Sequence, residues 1–121
     1  MPQATRPTPH RSVSIVDDSA VSRAQIGCVL RFLRYDVAFE GEEVRSIADR
    51  FSGIVIIDGR LPFALTAIAT LRERSPDAAV FVLAALDEIA FVRAAVATGA
   101  TGAIRRPPLA SHVRAAFAAL G

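Results

Sequence analysis

The chain has 121 residues, of which 52% are hydrophobic and 21% are charged, which is enough apolar material for the core of one ordinary domain. The single cysteine, Cys28, excludes an internal disulfide framework, and no apolar run reaches the length of a membrane span. A formal net charge of +2, carried in part by Arg6 and Arg11, is only a weak indication of nucleic-acid binding.

Residues 1–11 are polar and proline-rich, and they contain no apolar stretch of the kind that a secretory signal requires. We therefore expect a disordered tail over residues 1–11 and one folded domain over residues 12–121. We also expect this domain to stand alone in the cytoplasm, because the chain has no second cysteine and no room for another domain. Such a domain would act through contacts of its surface.

Strand and helix patterns alternate five times along the folded region. The predicted strands cover residues 13–16, 36–39, 54–57, 80–83 and a short segment near 102–104, and the predicted helices cover residues 20–34, 42–51, 64–74, 88–98 and 109–120. Ser19 is placed to cap the first helix. Two of the strands are apolar on both faces, which is typical of a parallel sheet covered by helices on both sides. Five such units favour an α/β fold with the flavodoxin-like strand order 2-1-3-4-5.

Acidic residues follow two strands that this order makes neighbours. Asp17 and Asp18 come directly after the first strand and Asp58 comes after the third, so their side chains should converge at the carboxyl edge of the sheet. Three carboxylates in a small space repel one another, and a divalent cation relieves that repulsion. An all-oxygen, partly hydrated site favours Mg²⁺. Asp58 would then be placed to act as a carboxylate nucleophile and form an aspartyl phosphate.

Each of these residues also has a plainer interpretation. Asp17 and Asp18 could simply cap the first helix, and Asp58 could be an ordinary turn residue. The basic pair that contains Arg106 could be a solvated turn before two prolines. The coincidence of all three acids with a complete strand and helix series favours a site for a metal and a phosphoryl group.

Three segments of the chain resemble the signature segments of response-regulator receiver domains. They are IVDDS at residues 15–19, VIIDGRLP at residues 55–62 and IRRPP at residues 104–108. Their order and spacing also match, and the resemblance extends from Val13 to Leu120. It implies a CheY-like version of the predicted fold.

The resemblance also implies roles for single residues. Asp58 would be the phosphoacceptor, and Asp17, Asp18 and Asp58 would bind the metal together with the backbone carbonyl of Arg60. Arg106 stands where the family has a lysine, so it keeps a positive charge near Asp58 on a planar fork of different reach.

Other positions depart from the family pattern. Ala84 stands where the family carries Thr or Ser, and Ala85 follows it, so no hydroxyl is available there. Ala103 replaces the aromatic residue that usually rotates with the switch, and the loop after Asp58 is about two residues short of the usual Gly-rich turn. The groups that accept phosphate are therefore present, whereas those that convert it into a moved surface are altered, which predicts atypical or weakened switching.

The leading hypothesis is a single-domain response regulator that takes a phosphoryl group from a histidine kinase or phosphotransfer protein and signals through a downstream protein. It would be an acceptor domain rather than an enzyme. By the same resemblance, the surface around the last two helices is the candidate face for output or for a homodimer. The alternative is a phosphorylation-independent pseudo-receiver that serves as a binding or dimerisation module.

Other functions have less support. The two acids after the first strand disfavour a flavin or nucleotide phosphate cradle, which would need glycines, hydroxyls or a lysine. Membrane binding is not expected, and the absence of a helix-turn-helix signature makes DNA binding unlikely. His10 and His112 are expected to be solvated, and Cys28 is expected to fill the core.

Overall fold

The computed structural model describes residues 12–42 and 53–120. The elements are β1 (Ser12–Val16), α1 (Ala20–Phe32), β2 (Asp36–Gly41), β3 (Ile54–Asp58), α2 (Ala64–Arg74), β4 (Ala79–Ala84), α3 (Ile89–Thr98), β5 (Gly102–Arg105) and α4 (Ala110–Phe117), followed by a 3₁₀ turn (Ala118–Leu120). The predicted tail over residues 1–11 and almost all of the helix predicted over residues 42–51 lie outside the described residues.

The five strands form one parallel sheet in the order β2-β1-β3-β4-β5, which confirms the predicted fold. The strand order places β1 beside β3, with Val13 opposite Ile54 in the register. On its other edge β3 pairs with β4, and there Asp58 lies opposite Leu83. The carboxyl ends of β1, β3 and β4 therefore meet at the same edge of the sheet.

Strands β3 and β4 are buried along their whole length, as their continuous apolar sequences predict. Because successive side chains of a strand point to opposite faces, each strand contributes to two cores. Val55 and Ile57 belong to the core beneath α2 and α3. Ile54 and Ile56 belong to the core beneath α1 and α4. This packing on both faces holds the strand ends, and hence the acidic residues, in a fixed arrangement.

Helix α1 begins at its predicted cap, where the Ser19 side chain accepts a hydrogen bond from the Ser22 N–H at 3.1 Å. Its buried stripe is carried by Ile26 and Leu30. Cys28 is exposed, so the expectation that it fills the core is wrong. The reason is helical spacing: Cys28 lies two residues from Ile26 and Leu30, on the side of the helix that faces away from the sheet.

Two large apolar side chains of α1 are also exposed, namely Val21 and Phe32, at 69% and 72% of their surface. None of the helices within residues 12–42 and 53–120 is long and apolar enough to cross a bilayer.

Candidate functional site

The three acids that follow β1 and β3 lie at the carboxyl edge of the sheet. Asp17 and Asp58 are buried, with 0% and 1% of their surface exposed, whereas Asp18 is exposed. One carboxylate oxygen from each residue lies within 4.8 Å of the others. The strand order thus brings together side chains that are separated by forty positions in the sequence.

Asp17 is held by the first turn of α1. Its Oδ1 accepts a hydrogen bond from the Ser19 N–H at 2.9 Å, and its Oδ2 accepts one from the Ser22 hydroxyl at 2.5 Å. The Arg23 guanidinium donates to the Asp17 backbone carbonyl at 2.5 Å. The capping interpretation of Asp17 is therefore partly right, since this carboxylate stabilises the start of the helix while it also faces the other two acids.

The two oxygens of Asp58 have different surroundings. Oδ1 accepts hydrogen bonds from the Arg60 backbone N–H at 3.0 Å and from Nη2 of Arg106, and Nε of Arg60 lies 3.5 Å from it. Oδ2 is buried and has no hydrogen-bond partner in the described part of the chain. A buried carboxylate oxygen without a partner is costly, because it has lost its water and gained nothing in return.

This donor set fits a small divalent cation. The cluster offers oxygen ligands only, one of its carboxylates is exposed, and the open Oδ2 of Asp58 has a coordination position to fill. Mg²⁺ prefers such ligands and retains water on its open side. The turn that carries the Arg60 carbonyl, the fourth predicted ligand, directly follows Asp58.

Arg106 reaches Asp58 from the end of β5. Its backbone N–H donates to the Ala84 carbonyl at 3.0 Å, and its side chain is 18% exposed. Nη2 of Arg106 also lies 3.4 Å from the Leu83 carbonyl. Nε of the same guanidinium is buried, and within the described residues it has no hydrogen-bond partner. Arg106 is therefore not simply solvated, because it contacts the Asp58 carboxylate, whereas Arg105 is exposed.

His112 contacts the turn on which Arg106 lies, a contact that the sequence did not predict. It is half-buried, and its Nδ1 lies 3.1 Å from the Arg105 carbonyl and 2.7 Å from the Pro107 carbonyl. Since both partners can only accept, Nδ1 must carry the proton. Spacing alone did not reveal this role, because it depends on how α4 folds back on the turn.

The turn between β4 and α3 is closed by Glu88, which the sequence did not single out. The Ala85 N–H donates to Glu88 Oε1 at 2.6 Å, and the Glu88 N–H donates to the Ala85 carbonyl at 3.0 Å. Ala84, at the end of β4, is buried and brings only a methyl group. This edge of the site is therefore a fixed turn without a hydroxyl.

The residue after Asp58 is a glycine for steric reasons. A Cβ atom at Gly59 would lie 2.7 Å from the Phe91 ring and 2.8 Å from the Leu83 carbonyl. The Gly59 N–H donates to that same carbonyl at 3.0 Å. Phe91 of α3 therefore lies directly against the backbone of the turn that carries Asp58.

A cavity of about 350 Å³ lies between the start of α1 and the turns that carry Arg60 and Arg106, and none of the three acids is among its lining residues. Polar side chains in its lining come from the start of α1, from the turn after β3 and from the end of β5: Ser19, Ser22, Gln25, Arg60 and Arg106. Two arginines and two hydroxyls in one open cavity suit an anionic ligand with several oxygens.

No protein-family model matches the sequence, and no curated protein sequence matches it either. Solved structures do match. The isolated REC domain of RcsB from Salmonella enterica serovar Typhimurium, solved with the phosphomimetic BeF₃⁻, aligns with a TM-score of 0.78 and 20% identity, over 92% of this chain and 88% of that one.

Two further structures give similar values. A chain of the CheX-CheY-BeF₃⁻-Mg²⁺ complex from Borrelia burgdorferi aligns with a TM-score of 0.79 and 20% identity, over 90% of this chain and 87% of that one. A response regulator from Burkholderia pseudomallei with a phosphorylated aspartic acid, a calcium ion and citrate aligns with a TM-score of 0.71 and 23% identity, over 88% of this chain and 65% of that one. The chain has the fold of the receiver domains of response regulators.

Proposed function

We propose that this chain is a cytoplasmic receiver domain that accepts a phosphoryl group on Asp58, with Mg²⁺ as cofactor, and signals by contact with another protein. The observation that carries the proposal is the open Oδ2 of Asp58, a buried carboxylate oxygen without a hydrogen-bond partner among the described residues. Asp58 belongs to a cluster of three converging carboxylates. A cation and a phosphoryl group are both chemical partners that such an oxygen can take.

Asp17, Asp18, Asp58 and the Arg60 carbonyl are the residues that would hold the metal. When bound, Mg²⁺ supplies positive charge that offsets the repulsion among the acids and the negative charge of the transferring phosphoryl oxygens. Asp17 is already oriented for this task by Ser19 and Ser22.

Transfer requires that a carboxylate oxygen of Asp58 attack the phosphorus of the donor. A new O–P bond forms, the bond from phosphorus to the donor breaks, and its electron pair leaves with the donor. For a histidine kinase or phosphotransfer protein the leaving group is the imidazole of a phosphohistidine. The contact of Arg106 with Asp58 supports a role for its positive charge beside the phosphoryl oxygens.

The similar structures support the same chemistry. The Burkholderia response regulator contains a phosphorylated aspartic acid and a calcium ion, and the Borrelia complex contains BeF₃⁻ and Mg²⁺. The complex with CheX is a contact between a chain of this fold and another protein. In this chain we place the output face, and any homodimer contact, on α3 and α4, where Val96 and Leu109 are half-exposed apolar side chains.

The alternative is a pseudo-receiver whose surface binds a partner whether or not Asp58 is modified. Two observations favour it over an ordinary switch. Ala84 has no hydroxyl to follow a phosphoryl group, and Glu88 closes the turn between β4 and α3. Both features reduce the difference in contacts between the modified and unmodified states, and only that difference can shift a conformational equilibrium.

Incubation of the protein with Mg²⁺ and a small phosphodonor such as acetyl phosphate tests the proposal. Intact-mass measurement should find one added phosphoryl group on the native protein and none on Asp58→Asn or in excess chelator. Asp87→Asn is the matched control, because Asp87 is an exposed acid outside the cluster, and it should be labelled like the native protein. A native protein that stays unlabelled when a known receiver is labelled would overturn the proposal and leave the pseudo-receiver.

A further inference from the structure

We propose that Arg106 binds the phosphoryl group on Asp58 through two N–H donors, Nη2 and Nε, and that the second donor replaces the hydroxyl that Ala84 lacks. This inference rests on the proposed function. Arg106 would then make two hydrogen bonds to the phosphoryl group. In the family pattern, a lysine at the position of Arg106 and a hydroxyl at the position of Ala84 would make one each.

The first observation is an incomplete contact between Arg106 and the buried carboxylate of Asp58. Nη2 of Arg106 donates to Asp58 Oδ1, while Nε of Arg106 and Oδ2 of Asp58 are both buried without a hydrogen-bond partner in residues 12–42 and 53–120. Nε and Nη2 lie on the same edge of a guanidinium, and two oxygens can bind side by side along this edge. One of the two donors of this edge is therefore still open, and it belongs to a guanidinium that already contacts the phosphoacceptor.

The second point concerns the acceptor that the Nε–H of Arg106 could bind. A phosphoryl group attached to Asp58 would bring three terminal oxygens into the space beside Arg106. A fork of two parallel N–H donors matches two such oxygens, whereas a lysine ammonium would act as a point charge. Arg106 also lines an open cavity together with Arg60, so the guanidinium is not enclosed on every side.

The third observation is the character of the neighbouring position. The Arg106 N–H is bonded to the Ala84 carbonyl at 3.0 Å, so the two residues are adjacent at the strand ends. Ala84 is buried and brings only a methyl group to this edge. The Glu88 side chain bonds the Ala85 N–H and is therefore engaged elsewhere. At the ends of β4 and β5, Arg106 is thus the side chain that can donate a second hydrogen bond to the phosphoryl group.

The test is the affinity for beryllofluoride in the presence of Mg²⁺, measured by ¹⁹F NMR because the chain has no tryptophan to report binding. Four proteins are compared: the native chain, Arg106→Lys, Ala84→Thr and the double variant. Arg105→Lys is the matched control, since Arg105 is the exposed neighbour of Arg106. Unfolding curves establish that every variant is folded.

We expect Arg106→Lys to weaken beryllofluoride binding by about tenfold or more, the effect of one lost hydrogen bond to a charged group, although the charge is kept. Ala84→Thr should recover most of this loss in the Arg106→Lys background and give no comparable gain in the native background. Arg105→Lys should bind like the native chain.

Native-like affinity of Arg106→Lys would overturn the inference, and so would an equal effect of Ala84→Thr in both backgrounds. These outcomes leave the proposed function standing, because the native protein still binds. A native protein that fails to bind beryllofluoride with Mg²⁺ would instead overturn the proposed function and this inference with it.

Discussion

Asp17 and Asp18 are adjacent in sequence but differ in what they contribute to the fold. Asp17 is buried and accepts hydrogen bonds from the Ser19 N–H and the Ser22 hydroxyl, whereas Asp18 is exposed. Removing either charge also relieves repulsion within the acidic cluster. The contribution of the Asp17 hydrogen bonds to stability is therefore measured by comparing two variants that have both lost the charge.

We expect Asp17→Ala to be less stable than Asp17→Asn by about 1–2 kcal/mol, because asparagine keeps an acceptor for the first turn of α1 and alanine does not. At the exposed Asp18, the same pair of substitutions should differ by less than about 0.5 kcal/mol. Urea unfolding in excess chelator measures both differences. Equal stabilities of Asp17→Ala and Asp17→Asn would contradict the capping role.

At the residue scale, the sequence predicted the location of the acids better than their contacts. Asp17, Asp18 and Asp58 could be placed together because a parallel sheet aligns its strand ends. The roles of Glu88 and His112 could not be predicted, since each bonds backbone atoms of a turn whose path is set by packing. For Arg106 the sequence predicted a positive charge near Asp58, but it could not predict that Nη2 makes the contact.

At the scale of elements, the turn between β4 and α3 is the segment that departs most from the expected switch. The reciprocal hydrogen bonds between Ala85 and Glu88 close it, and Phe91 of α3 packs on Gly59 beside the phosphoacceptor. When Asp58 carries a phosphoryl group, the neighbouring turn is therefore already stabilised by hydrogen bonds between its own residues.

We expect Glu88→Ala to lower the free energy of unfolding by about 0.5–1.5 kcal/mol, because the Ala85 N–H loses its acceptor. Glu88→Gln keeps a carbonyl oxygen at the same reach, so it should lose clearly less. Chemical denaturation compares the two variants with the native protein. If both variants lost the same amount, the charge of Glu88 rather than its hydrogen bond would be responsible.

The sequence predicted the strands best where apolar residues form a continuous run. The runs that form β3 and β4 are apolar on both faces, and both strands are buried throughout. In α1 the apolar residues are scattered around the helix, so the buried face could not be chosen from composition. Packing on the sheet selected Ile26 and Leu30 and left Phe32 exposed.

At the scale of the whole molecule, two cores on opposite faces of one sheet fix the relative positions of β1 and β3. This arrangement gathers three carboxylates at one edge, although their mutual repulsion opposes it. The apolar strands supply the rigidity, and we propose that the acids supply a site for a cation. The central claim is therefore that the three acids bind one divalent cation in common.

Calorimetric titration with Mg²⁺ tests that claim most directly, with Asp18→Asn, Asp58→Asn and the control Asp87→Asn beside the native protein. We expect one Mg²⁺ per native chain, weaker binding when either Asp18 or Asp58 loses its charge, and unchanged binding in the control. No binding to the native protein, or native affinity in Asp58→Asn, would contradict the account.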